Sequence, residues 1–213
     1  MTFSRTPCVA TWPCAAAKAG ARWCGGRRGP TALSPGSCSR SWRRICLRVN
    51  EIAPGSRVCL DANVFIYHFC GRSRQATELL LDVEDGQLHG FTTSGVLAEV
   101  LHRLMVIEAV SVGAISGASP ARALRRRPEV VRALRRYYRD TSSIPAMGVE
   151  VIEPGGDLLR ASHPLRTGYG LLTNDSLLVA AALGAGMDVL ATADRDLARV
   201  REIDIALLDD VST

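Results

Sequence analysis

The sequence predicts a three-layer α/β/α domain with a mainly parallel central sheet. Three observations predict it. Short apolar runs without polar alternation, such as residues 58–60 and 189–191, have the pattern of strands buried on both faces. Segments with helical spacing separate these runs, so consecutive strands should lie parallel and be joined by crossovers. Acidic residues stand where buried strands give way to helices, at the rim where open α/β sheets bind ligands.

The elements follow in order. Residues 58–60 form the first strand, and residues 61–70 a short helix stopped at Gly71. A second helix over 73–86 puts Ala76, Leu79, Leu80 and Val83 on one face and ends at Gly86. Residues 88–93 are the next strand. Ser94 suits the N-cap of a helix whose apolar set is Val96, Leu97, Val100, Leu101, Leu104 and Met105. A Gly/Ser-rich break over 112–120 follows. Pro128 then divides an Arg-rich stretch into two short helices. Residues 147–152 form a strand, 156–162 a helix, and 169–173 a loop or short extended piece. Asn174 and Asp175 open an apolar helix over 176–183. A strand over 187–193 leads to Asp194 and a short helix, and residues 203–208 form the last strand.

Composition bounds the function. The chain has 213 residues, 47% of them apolar, enough for one domain with a substantial core. Its longest purely apolar run, 177–183, is far short of the roughly 20 residues of a membrane span. The net charge of +5 conceals a split. Residues 1–50 hold eight Arg, one Lys and no acid, whereas residues 51–213 hold 17 Arg and 21 acids. The basic balance therefore belongs to the leader and makes no case for nucleic-acid binding by the body. All three Trp (Trp12, Trp23 and Trp42) and five of the seven Cys also fall in residues 1–50. No Cys-x-x-Cys pair occurs, so neither a disulfide framework nor a zinc site is indicated, and a reducing, cytoplasmic compartment is expected. We expect 1–50 to be a disordered basic leader or a start placed too far upstream, and 51–213 to be the functional domain.

Four carboxylates carry the chemistry. Asp61 and Asp194 follow strands directly, Asp175 opens a helix, and Glu99 rides the early turns of another. Each also has an ordinary reading. Asp61, Asn174 and Asp175 suit helix caps, and Glu99 could pair with Arg103 at i+4 on a solvated face. Brought together on one rim, however, four carboxylates repel one another unless a cation compensates. Oxygen ligands without His or Cys select Mg²⁺ or Mn²⁺. Such an ion suits phosphodiester hydrolysis. The four His show no ligand spacing, and no phosphate loop or Ser-His-Asp order competes. Residues 121–140 hold eight Arg interleaved with Tyr137 and Tyr138. Arg125, Arg126, Arg127, Arg132, Arg135 and Arg136 are the candidate RNA-gripping residues, against the plainer reading of a solvated helix face.

The motifs Leu-Asp-Ala-Asn-Val-Phe-Ile-Tyr (60–67), Thr-Ser-Gly-Val-Leu-Ala-Glu-Val (93–100), Leu-Thr-Asn-Asp-Ser-Leu-Leu-Val-Ala-Ala-Ala (172–182) and Leu-Ala-Thr-Ala-Asp-Arg-Asp-Leu (190–197) together resemble the PIN domain. Most closely they resemble the VapC-type toxins of toxin–antitoxin pairs. The resemblance spans roughly 57–208. It implies that Asp61, Glu99, Asp175 and Asp194 form an acidic quartet. Asp61, Asp175 and Asp194 would be the metal ligands and Glu99 would complete the site. Asn63, Ser94, Asn174 and Thr192 would be supporting polar residues. Asp196 is ambiguous: Leu197 stands where an aromatic is usual, and Asp194 and Asp196 could share the fourth role. The resemblance also implies RNA cleavage leaving a 3′-hydroxyl and a 5′-phosphate, a homodimer, and a small antitoxin that blocks the site. The alternatives are a PIN-like RNA-processing or DNA-cutting enzyme without antitoxin, and a PIN-like scaffold that binds RNA or protein without cutting.

Overall fold

The computed structural model describes residues 46–153 and 155–211. Among these residues, six strands form one sheet in which every pairing is parallel. In chain order they are β1 (Leu47–Arg48), β2 (Arg57–Leu60), β3 (His89–Thr93), β4 (Glu150–Ile152), β5 (Val189–Thr192) and β6 (Asp204–Leu207). Their order across the sheet is β1-β6-β5-β2-β3-β4. From β2 the chain builds outward on one side through β3 and β4, then returns to the other through β5 and β6. The reversal falls between β2 and β5, where Cys59 pairs with Leu190 and Leu60 with Ala191. That is the switch point at which open parallel sheets leave a crevice at their carboxyl ends.

The described residues also form eight α-helices that cover the sheet: α1 (Ala62–Phe69), α2 (Arg74–Glu84), α3 (Ser94–Ser111), α4 (Pro120–Arg125), α5 (Pro128–Ala133), α6 (Arg136–Ser142), α7 (Leu158–Tyr169) and α8 (Thr173–Gly184). The expected three-layer α/β/α build is what forms. Val58, Cys59, Leu60, Leu190 and Ala191 are wholly buried, which requires helices on both faces of the central strands. Burial pushes the Cys59 thiol up to about 12, with the Asp61 charge adding to it, so this cysteine is an inert core residue. On α2 the expected face of Ala76, Leu79, Leu80 and Val83 is the buried one.

Several boundaries differ from the sequence reading. The sheet begins at Leu47, because β1 pairs with β6 in the register Leu47–Ala206 and Arg48–Leu207. The domain edge expected at residue 51 thus falls within a 3₁₀ turn, Val49–Glu51, that follows an edge strand. The expectations for the rest of the leader lie outside the described residues. The cap of α3 is Thr93, whose Oγ1 accepts from the Val96 N–H at 3.1 Å, and Ser94 is the first helical residue. α7 continues through Pro164 to Tyr169, well past the expected end at 162. α8 begins at Thr173, so Asn174 and Asp175 lie inside its first turn.

The Arg-rich stretch forms three helices with a small core of its own. Leu124, Val130 and Leu134 turn inward onto Ala109 and Ile115. The connector is tied to α3 through Glu108. Its Oε1 accepts from the N–H groups of Arg135 (3.0 Å) and Arg136 (3.1 Å), and its Oε2 from that of Tyr137 (2.8 Å). One carboxylate thus satisfies the free amides at the start of α6, which has no cap from its own segment.

Candidate active site

The site is built where β2 and β5 end side by side. Asp61 follows β2 and caps α1: its Oδ1 accepts from the Ala62 N–H at 2.7 Å. Its Oδ2 accepts from Asn63 Nδ2 at 3.1 Å and from Thr192 Oγ1 at 2.7 Å. Thr192, the last residue of β5, is wholly buried. Its hydroxyl gives its proton to Asp61 and accepts from the Asp194 N–H at 2.9 Å. Asp194 in turn opens a 3₁₀ turn, Arg195–Arg199, and its Oδ1 accepts from the Asp196 N–H at 2.8 Å. The capping reading is therefore correct for Asp61, and it does not exclude chemistry, since the carboxylate has further acceptor capacity; Asn174 and Asp175 do not cap, because Leu172 holds that position ahead of α8.

Asp61, Glu99, Asn174 and Asp175 line one cleft of about 120 Å³ with Thr93, Gly95, Val96, Leu158, Leu177 and Leu178. Thus α1, α3 and α8 each deliver an acid to the same space. Asp175 lies in the first turn of α8, and burial pushes its carboxyl up against the lowering effect of the Leu172 backbone just ahead of the helix. Glu99 is half-buried on α3, and its ion pair with Arg103 is not among those formed by the described residues. Asp194 and Asp196 do not line this cleft, and act on Asp175 through their charge.

The electrostatics show that these groups share a field. Burial pushes Asp61 up to about 6, and the charges of Glu99 and Asp175 add to it, against the lowering effect of the Thr192 and Ala62 hydrogen bonds. Asp175 is raised by burial, then by Asp194, Glu99 and Asp196. All four predicted acids, with Asp196, therefore enter one mutually repelling set. Among the described residues no three acidic, His or Cys side chains are drawn into a ready-made cage for an ion. The donor chemistry nevertheless fits a hard dication. The cleft offers carboxylate and amide oxygens, holds neither thiol nor imidazole, and carries a repulsion that a cation would relieve.

Of the supporting residues, Asn63 and Thr192 bond Asp61 directly, and Asn174 lines the cleft. Ser94 turns away: its hydroxyl donates to Glu153 at 3.2 Å. Sequence reasoning misses Glu153, although it follows β4 as Asp61 follows β2, and that same signal could single it out. It misses Thr93 because either residue of the Thr-Ser pair fits a cap.

The predicted RNA-gripping set divides in two. Arg127 bonds Glu129 and the Ala114 carbonyl, Arg135 bonds the Arg132 and Leu134 carbonyls, and Arg136 bonds Asp140 and the Phe69 carbonyl. These three are tied into the fold. All six are exposed, and Arg125, Arg126 and Arg132 are not tied down by such bonds among the described residues. Tyr138 is 65% exposed, whereas Tyr137 packs half-buried against both apolar cores.

A parallel sheet with a carboxylate-lined cleft at its switch point defines an α/β protein with an acidic site. The PIN domain family model matches residues 58–203, and this chain belongs to that family, whose members are generally nucleases. No curated protein matches the chain. Among solved structures, VapBC2 from Rickettsia felis, bound to a DNA fragment from its promoter, aligns with TM-score 0.47 and 16% identity over 71% of this chain and 98% of that one. VapBC-1 from nontypeable Haemophilus influenzae gives 0.45 and 14% over 71% and 97%. PAE2754 from Pyrobaculum aerophilum gives 0.42 and 16% over 70% and 89%. Among the described residues no helix is long and apolar enough to cross a membrane.

Proposed function

We propose that this protein is a Mg²⁺-dependent endoribonuclease, the toxin of a toxin–antitoxin pair. The observation that carries the nuclease reading is the shared cleft of Asp61, Glu99 and Asp175, whose charges raise one another. Asp61, Asp175 and Asp194 would hold Mg²⁺, or Mn²⁺ in its place. An ion bound there would supply an activated water and offset the charge of the phosphate under attack.

The protein's own groups do the remaining work. Thr192 and Asn63 fill Asp61 Oδ2 and hold the carboxylate in one orientation, which leaves acceptor capacity on Oδ1 beside its bond from the Ala62 N–H. Glu99, with no ion pair among the described residues to occupy it, is available to orient a water or take its proton. Leu158, Leu177 and Leu178 form an apolar wall that limits bulk water around the acids. Arg125, Arg126 and Arg132 are exposed cations that would hold phosphates of a bound strand. Glu108 lies nine residues beyond Glu99 on α3, about 14 Å along the axis, so these helices would grip the strand away from the scissile bond.

The toxin assignment, with its small antitoxin, homodimer and cytoplasmic setting, rests on the four sequence motifs. It predicts an adjacent reading frame for a small DNA-binding protein. The decisive experiment is cleavage of total RNA by the purified full chain with Mg²⁺, with chelator, and with Asp61→Asn. Cleavage that needs both the metal and Asp61 establishes the enzyme. A folded protein, free of antitoxin, that cuts DNA and not RNA favours the DNA-nuclease alternative. One that binds RNA and cuts neither favours the scaffold.

A further inference from the structure

Arg166 is a half-buried guanidinium, bonded to the helix that carries Asn174 and Asp175, that the proposed chemistry leaves without a task. It lies on α7 and forms no ion pair among the described residues. Its Nη1 donates instead to two hydroxyls, Ser162 Oγ and Ser176 Oγ, each at 3.0 Å. Both serines are wholly buried.

The direction of these bonds is fixed. A guanidinium can only donate. Each serine therefore accepts from Arg166 and gives its own proton to a carbonyl of its helix: Ser162 to Leu159 at 3.0 Å, Ser176 to Thr173 at 2.8 Å. One cation thus feeds two parallel chains, one into α7 and one into α8. The α8 chain closes around Asn174 and Asp175, since Thr173 and Ser176 bracket them. That turn has no side-chain cap of its own, because Leu172 occupies the cap position. Its restraints include the Ser176 N–H on the Leu172 carbonyl at 3.0 Å and the Ser176 hydroxyl on the Thr173 carbonyl at 2.8 Å, so Ser176 holds the turn through both its backbone and its side chain.

We infer that Arg166 is a positioning residue for the acidic site, acting through Ser176 to hold the first turn of α8 and thereby aim Asp175 and Asn174 into the cleft. This rests on the proposed metal-dependent reading of that cleft. The substitution Arg166→Lys keeps the charge but replaces the guanidinium, whose Nη1 reaches both hydroxyls, with a shorter stem ending in a single ammonium. Partners that orient a ligating group typically contribute 10–100-fold to metal affinity.

The test titrates Mn²⁺ into the full chain and its variants Arg166→Met, Arg166→Lys, Ser176→Ala, Ser162→Ala and the double Arg166→Met/Ser176→Ala. Binding is followed by calorimetry and by the electron paramagnetic resonance of free Mn²⁺, with a thermal melt of each metal-free protein. The expected result is about 10-fold weaker Mn²⁺ binding for Arg166→Met and for Ser176→Ala. The double variant should be no weaker than the worse single, because both remove one path. Ser162→Ala, which cuts only the α7 arm, should bind nearly as the parent does. Variants that melt lower but bind Mn²⁺ as tightly as the parent overturn the inference and leave a plain α7–α8 clip. Losses that multiply in the double variant also overturn it. Failure of the parent itself to bind Mn²⁺ overturns the reading of the cleft, a different result from either.

Discussion

The Thr192 hydroxyl stands between Asp61 and the backbone of Asp194, giving its proton to the first and accepting one from the second. A single buried atom thus locks the ends of β2 and β5 to each other and sets the orientation of the central carboxylate. It does not make that carboxylate comfortable. Burial and the charges of Glu99 and Asp175 still hold Asp61 at about 6.

Asp61 therefore costs the metal-free protein stability. The unfolded chain releases this proton near the ordinary carboxylate value of about 4, the folded one near 6. The folded state binds the extra proton between these values, so stability falls as pH rises through that window and stays lower above it. Asp61→Asn should remove this loss and stabilise the chelated protein at pH 7.5 by about 1–3 kcal/mol, with little gain at pH 4. Asp175, also raised, leaves a smaller slope of the same sign. Urea unfolding at both pH values checks this; an unchanged slope in the variant would refute it.

Glu108 should behave with the opposite sign. Burial pushes it up, but the N–H groups of Arg135, Tyr137 and Arg136 and the Arg136 charge outweigh that, and the net shift is downward. Its stabilisation is present above the unfolded value and is lost as pH falls through the lower folded one. Glu108→Ala frees three amides at once and should cost about 1–2 kcal/mol near neutrality. Hydrogen exchange should report the loss at Arg136, Tyr137 and their neighbours first. Protection there equal to the parent's would mean that water replaces the carboxylate without cost.

The arginines should separate by role. Replacing Arg125, Arg126 and Arg132 with Ala should weaken RNA binding and flatten its salt dependence, by about 0.7 in log–log slope for each phosphate no longer neutralised, with little change in melting. Arg136→Ala, which forfeits Asp140 and the Phe69 carbonyl, should lower the melting temperature first. Filter binding across a salt series, beside thermal melts, makes the comparison. Equal salt slopes for parent and triple variant would move the RNA path elsewhere.

Gly90 on β3 lies close against Val83 of α2. A Cβ there would lie 2.6 Å from Val83 Cγ1 and 3.0 Å from Cγ2, and Val83 is a short, buried, β-branched side chain. Gly90→Ala should therefore destabilise by about 1–3 kcal/mol through overpacking. A lower urea midpoint at unchanged slope is the expected reading, and a midpoint at or above the parent's would show that α2 shifts freely.

What is legible in the sequence is what local pattern encodes. The apolar runs around Cys59 and Leu190 mark the buried strands, and the acids behind them mark the rim. What is not legible depends on partners distant in sequence. Nothing local in Leu47–Arg48 marks a strand; β6, more than 150 residues later, makes it one. α7 passes Pro164 although proline disfavours helix interiors, and the buried Leu165 and the anchored Arg166 lie just beyond it. The Arg-rich stretch reads as one basic surface. Half of its candidate cations are spent on carbonyls and acids that only the fold brings near, as Arg136 is on Phe69.

The two-residue strand at the sheet's margin has a further consequence. β6 carries Ile205 and Ala206 in the buried core, and its outer hydrogen-bonding groups are covered by β1 alone among the described residues. A protein begun at Glu51 would leave that row open, and open rows of this kind recruit a second chain. Self-association, rather than unfolding, is then the expected fate of such a truncated form. The short strand acts as a selvedge, the finished border that keeps one sheet from being woven into the next.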